Sequence, residues 1–109
     1  MIISMKDASK ERVFNLRNGE KYVDLTSYSD ENNRIICGVL IPGASIGMHL
    51  HENDSEIIYI IKGTATFLTD EGEEVAQEGM CHYCPKGHSH SMLNKGTEDV
   101  IFFAVIPKH

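Results

Sequence analysis

Four residues in two glycine-bounded stretches have the types and spacing of a metal-binding set. His49, His51 and Glu56 lie in Gly43–Gly63, which reads G-x5-H-x-H-x4-E-x6-G. His90 lies in Gly79–Asn94, which reads G-x5-P-x-G-x2-H-x3-N. Three imidazoles and one carboxylate make a full protein contribution to a divalent transition-metal shell, with room left for water or a substrate. Such donors suit manganese, iron, nickel, cobalt and zinc alike, so the expectation is one divalent metal per chain without a choice among them.

Extended strands must position these groups. Residues two apart on a strand face the same side, so His49 and His51 can aim at one point. Glu52-Asn53-Asp54 reads as a turn, and Glu56 then opens a strand that returns to that point. His90 arrives from a separate strand after the Pro85-Lys86-Gly87 turn. The punctuation elsewhere is that of many short strands: Val13–Leu16, Tyr22–Tyr28, Arg34–Ile41, Ile46–His51, Glu56–Ile61, Thr64–Thr69, Glu74–Gln77, Met80–Cys84, His88–Leu93 and Val100–Ile106. Asn18-Gly19 is a hairpin signal. Pro42-Gly43, Gly63, Asp70-Glu71-Gly72, Gly79 and Asn94-Lys95-Gly96 are breakers. One helical turn is expected near Asp7–Arg12. Short strands with glycine-rich turns predict an all-β sandwich or barrel, with one domain over 1–109.

The two motifs resemble, at every fixed position, the signature motifs of the cupin superfamily. The chain looks like a bacterial single-domain cupin of the oxalate-decarboxylase-like or mannose-isomerase-like sort. The resemblance implies a double-stranded β-helix, or jelly-roll barrel. It also implies His49, His51, Glu56 and His90 as metal ligands. It implies no particular reaction, because cupins include dioxygenases, decarboxylases, isomerases, lyases, sugar binders and storage proteins. Related small cupins often pair through N-terminal strands. Residues 1–28 would then be a dimer arm; alternatively they only cover a sheet edge, which an exposed strand needs in any case. A homodimer is expected.

Strand parity gives a pocket map. With Glu56 inward, Ile58 and Ile60 share its side, as pocket lining or as ordinary core. With His90 inward, Met92 shares its side, and so does His88 if the strand reaches it. Phe67 is a further apolar candidate. His88 is either a group that orients a ligand or a solvated loop residue. His82 shares parity with Cys84 and reads as a hydrogen-bonded structural histidine rather than a fifth ligand. Glu52 and Asp54 are turn residues that could serve as a general acid if the turn folds over the site. Glu74 reads as part of a solvated face, and His109 as a disordered end. The arginines are Arg12, Arg17 and Arg34 only. An oxalate-type substrate wants a cation for its remote carboxylate, and Arg34, on a strand, is the one placed to enter the barrel.

Composition excludes several classes. A formal net charge of −6 disfavours nonspecific nucleic-acid binding. No apolar run is long enough to span a bilayer, and the start lacks a signal-peptide core, so a cytoplasmic protein is expected. Three cysteines argue against a disulfide framework. Cys81 and Cys84, three apart on a strand, should point to opposite faces, which disfavours a redox pair. The Asn53-Asp54-Ser55 sequon would be inert in that compartment.

Two functions remain. One is metal-dependent catalysis on a small oxygen-rich metabolite, by decarboxylation, isomerisation or oxygen-dependent cleavage, with Glu56 shuttling a proton. The other is a noncatalytic module that binds a small ligand or uses metal to pin strands.

Overall fold

Alternation sorts the side chains. Along β5 (Glu56–Lys62), Glu56, Ile58 and Ile60 are buried while Ile57, Tyr59 and Ile61 point outward. The same period of two runs through β3 (Asn33–Leu40) and β10 (Val100–Pro107), whose β-branched and aromatic residues favour a pleated, half-buried surface. The computed structural model describes residues 1–109 and holds seven further strands. These are β1 (Ser9–Phe14), β2 (Tyr22–Ser29), β4 (Ser45–Leu50), β6 (Thr64–Thr69), β7 (Gly72–Gln77), β8 (Cys81–Cys84) and β9 (Ser89–Leu93).

All pairings are antiparallel. One sheet runs β1-β2-β3-β10-β5-β8 and the other β4-β9-β6-β7. Together they form a jelly-roll barrel, the double-stranded β-helix. Its apolar centre includes Leu40, Ile60, Phe67, Val100 and Phe102. At Gly38 a Cβ would land in the Phe102 ring, so the bare backbone makes room for that aromatic. No helix is long and apolar enough to cross a membrane.

The structure corrects the N-terminal reading. The expected helical turn near Asp7–Arg12 is a 3₁₀ turn at Met5–Asp7 followed directly by β1. β1 therefore starts earlier than the expected Val13 and is the edge strand, paired with β2. Arg12 sits opposite Asp24 in that register and donates to its carboxylate at 2.8 Å, a cross-strand pair that favours extended backbone. Asn18-Gly19 does not make a two-residue hairpin. Residues 15–21 form a longer connection with positive φ at Asn15, Arg17, Asn18 and Lys21. This connection lies on β4, where the backbones of Gly19 and Gly47 approach too closely for any side chain at either position.

The C-terminal residues pack against the barrel, His109 included. The His109 backbone N–H donates to the Asn53 carbonyl at 2.8 Å, and its Nε2 lies 3.0 Å from Ser55 Oγ. The Ser55 N–H donates to the Pro107 carbonyl. The chain end thus ties down the turn between β4 and β5.

Candidate metal centre

A β-bulge brings the first two histidines to the site. Against β9, Ile46 pairs with Met92 but His49 pairs with His90, so β4 carries one extra residue between the two pairs. Plain alternation would turn Ile46 and His49 to opposite sides. The bulge resets the parity and both face inward, while Met48 is exposed. Gly47, inside the bulge, accepts a hydrogen bond from His49 Nδ1–H at 2.8 Å, which leaves Nε2 free to face the barrel.

His51 lies just past β4. Its N–H donates to the His88 carbonyl, and its carbonyl accepts from the Gly87 N–H, so the turn before β9 holds it from both sides. The Asp54 carboxylate accepts from His51 Nδ1–H at 2.6 Å. Asp54 is therefore a partner of the histidine rather than a free turn acid. Glu56 opens β5 and His90 sits on β9, both buried.

The four side chains converge. Their donor atoms all lie within 4.8 Å of one another. His51 Nε2 is 3.0 Å from His90 Nε2, and Glu56 Oε1 is 3.3 Å from the first and 3.0 Å from the second. Ligands at ~2.1 Å from a metal and at right angles to one another stand about 3 Å apart. The His51, Glu56 and His90 donors thus stand at the edge lengths of an octahedron's face, with His49 close by. The donor chemistry agrees, since the outer nitrogen of each imidazole is engaged elsewhere and the inner one faces the cluster. Three histidines and Glu56 are compatible with one divalent metal.

The electrostatics suit a cation. Burial pushes the Glu56 carboxyl up, but hydrogen bonds and charge from His51 and His90 outweigh it and hold the group at about 2. Burial lowers His49, reinforced by the neighbouring imidazoles. The Glu56 hydrogen bond raises His51.

Behind His90 lies a second hydrogen-bonded chain. His90 Nδ1 is 2.9 Å from His82 Nε2, and His82 Nδ1 is 2.5 Å from Glu74 Oε1 on β7. His82 is 2% exposed and stacks on Phe67 with ring centroids 3.8 Å apart. It lies outside the donor cluster, as a hydrogen-bonded structural histidine would. Burial lowers its pKa, outweighing the Glu74 carboxylate and favouring the neutral ring. Glu74 lies on a solvated face as expected, yet its carboxylate also reaches across the β7–β8 turn to His82, a contact the sequence did not announce.

A cavity of about 230 Å³ opens on the cluster. Its walls include Leu25, Ile36, Ile46, Ile58, Met92 and Phe102. Three cations also line it, Arg34 from β3 together with Arg17 and Lys108. Ile58 and Met92, on the sides that parity gave them, and Arg34, the arginine expected to enter the barrel, all line this cavity. Ile60 and Phe67 are not lining residues; both are fully buried in the core, Phe67 beneath His82. His88 does not reach the cavity either. It is half-exposed on another part of the surface, where Asp70 accepts from its Nδ1–H at 3.1 Å. Arg17 and Lys108 were missed because a turn and a chain end have no periodicity from which to read a direction.

Cys81 is exposed and Cys84 buried, on opposite faces of β8, and all three cysteines are free thiols.

Comparison with known proteins agrees with this geometry. The chain is 35% identical over 113 residues to an "Oxalate-binding protein" of Thermotoga maritima, covering 97% of this chain and 93% of that one. The crystal structure of a "predicted oxalate decarboxylase" from the same species superposes with a TM-score of 0.90 at 30% identity, covering all of both chains. The cupin domain of Cnp3 from Schizosaccharomyces pombe shares the fold, with a TM-score of 0.79 at 13% identity over 99% of this chain and 74% of that one. The family model for the cupin domain matches residues 38–106, a span that holds all four converging side chains. The chain belongs to the cupin family.

Proposed function

We propose that the protein captures a small dianion with adjacent oxygens, of the oxalate class, on a divalent metal held by His49, His51, Glu56 and His90. The observation that carries this reading is the pairing of that cluster with Arg34 in one small cavity. Arg34 forms no ion pair with any carboxylate of the chain, so its guanidinium is free to meet one. A bound metal supplies Lewis-acid attraction for two oxygens of the ligand. Arg34 would hold the carboxylate remote from the cluster, with Arg17 and Lys108 adding positive potential. The apolar walls exclude water and strengthen each of these attractions. The likeness to the T. maritima oxalate-binding protein supports the choice of ligand.

Binding is favoured over turnover by the acids of the cavity. The lining carboxylates are Asp54 and Glu56. Asp54 is bonded to His51, and Glu56, at about 2, is a poor proton donor near neutrality. The second reading makes the protein a catalyst in which Glu56 shuttles a proton, and its support is the likeness to a predicted oxalate decarboxylase. Calorimetric titration of manganese-loaded protein with oxalate tests the first reading. Binding should be at least tenfold weaker in Arg34→Ala, with acetate a poor ligand for both proteins. Equal oxalate affinity in the two proteins would refute the clamp. Stoichiometric formate and carbon dioxide from oxalate would replace binding with turnover.

The working unit in this reading is a cytoplasmic homodimer, joined through the outer face of the six-stranded sheet. An antiparallel sheet with one solvated face normally alternates apolar with polar. Here the outward positions of the central strands are Ile35, Cys37 and Val39, then Ile101, Phe103 and Val105, then Ile57, Tyr59 and Ile61. Six strands at ~4.8 Å spacing and roughly 20 Å long give a footprint on the order of 600 Å². That approaches the ~800 Å² per partner of a stable complex. A second copy brings the same uncharged centre, with Arg12 and Asp24 in the polar rim, which is what a self-complementary interface requires.

A further inference from the structure

We infer that Glu74 and His82 are positioning residues for the metal centre, which orient His90 and fix which of its nitrogens carries the proton. The inference rests on the metal-binding reading and deepens it. His49 and His51 have ordinary partners on their outer nitrogens, a backbone carbonyl and a carboxylate. The outer nitrogen of His90 meets another imidazole, and two neutral imidazoles can bond in either direction. If His82 donated, His90 Nδ1 would accept and its proton would sit on Nε2. That proton would lie between Glu56 and His51, where a metal needs a lone pair.

Glu74 removes the ambiguity. An ionised carboxylate only accepts, so His82 Nδ1 must donate to it. A neutral His82 then has only Nε2 left as an acceptor. His90 Nδ1–H must donate to that atom, and His90 Nε2 faces the cluster unprotonated. The direction of every bond in the chain is set at its outer end, by a side chain that is 58% exposed. Phe67 stacks on the His82 ring with an interplanar angle of 10°, which fixes the plane in which the imidazole meets both partners. A purely packing role for His82 would need no acid at this position.

The test uses the full chain, first stripped of metal. Nitrogen-15 correlation spectra of the imidazoles report the His90 tautomer directly. The wild type should show the proton on Nδ1. Glu74→Leu alters an exposed side chain and should keep the fold, yet it should populate the Nε2–H form. Glu73→Leu, next along the strand and bonded to Lys95, should leave His90 unchanged. Cobalt(II) alone then serves as the metal probe, followed by its absorption bands in competition with a chelator. Affinity should fall about 10-fold in Glu74→Leu and 10- to 100-fold in His82→Leu. His82→Gln should recover most of the loss, because a carboxamide can accept from His90 and donate to Glu74. An unchanged His90 tautomer in both Glu74→Leu and His82→Leu would overturn the inference. So would equal cobalt affinity in wild type, Glu74→Leu and His82→Leu. A wild type with the Nδ1–H tautomer and no cobalt binding would instead overturn the metal reading and leave the positioning intact.

Discussion

Replacing Glu56 by Gln should flatten the acid limb of the metal-free protein's stability curve. The carboxyl stands at about 2 in the fold against an ordinary 4.5. At ~1.36 kcal/mol for each pH unit, the difference corresponds to roughly 3 kcal/mol. The sign follows from the direction of the shift. A depressed acid stabilises the fold above its unfolded pKa and loses that contribution as pH falls through its folded pKa. The window is therefore about pH 5 down to about pH 2. His51 works in a different window. Its raised pKa contributes below 6.5, and the contribution is lost as pH rises through its folded value. Glutamine keeps the size of the side chain but has no proton to gain. Urea denaturation of chelator-treated protein at several pH values between 5 and 2 measures the effect. The wild type should lose roughly 3 kcal/mol more than Glu56→Gln across that interval. Parallel losses in the two proteins would show that the carboxylate is not held by His51 and His90 as the distances require.

Three further outcomes follow from named contacts. Tyr59→Glu, at a position 43% exposed, should turn a sedimenting dimer into a folded monomer, whereas a dimer that survives it does not use that sheet face. Cys81 should react readily with a thiol reagent while Cys84, buried and pushed up to about 11, reacts only on unfolding; equal rates in the native protein would contradict its burial. Gly38→Ala should cost about 1–3 kcal/mol in chemical denaturation, because the new methyl overlaps the Phe102 ring, and an unaffected midpoint would mean the ring moves freely.

Much of this architecture is legible in the sequence, for local reasons. Period-two burial in β5 and β8 is written in Glu56–Lys62 and Cys81–Cys84, so the inward side of Glu56, Ile58 and His82 can be read directly. The outward side of Tyr59 and Cys81 follows from the same alternation. The bulge in β4 is another matter. One extra residue changes no composition, and Gly47 is its sole mark, so the common side of Ile46 and His49 escapes a parity argument. The start of β1 is hard to read because Ser9–Arg12 is polar throughout, and its strand character comes from pairing with β2. Phe67 and Ile60 show the limit of parity: it separates inside from outside, but both lie inside without touching the cavity. Glu74 is eight residues from His82, on a strand of the other sheet, and nothing local distinguishes it from the solvated acids beside it.

The end of the chain has a practical bearing on how this protein should be handled. His109 and Pro107 hold the turn that carries Asp54, and Asp54 holds His51. An affinity tag fused after His109 would therefore pull on the His51 imidazole through that turn and Asp54. A polyhistidine tag placed there would also bring competing nitrogen donors close to the cavity that Lys108 lines. Metal content measured on such a fusion would report the tag as much as the barrel, and a cleavable tag ahead of Met1, near the exposed edge strand β1, avoids both effects.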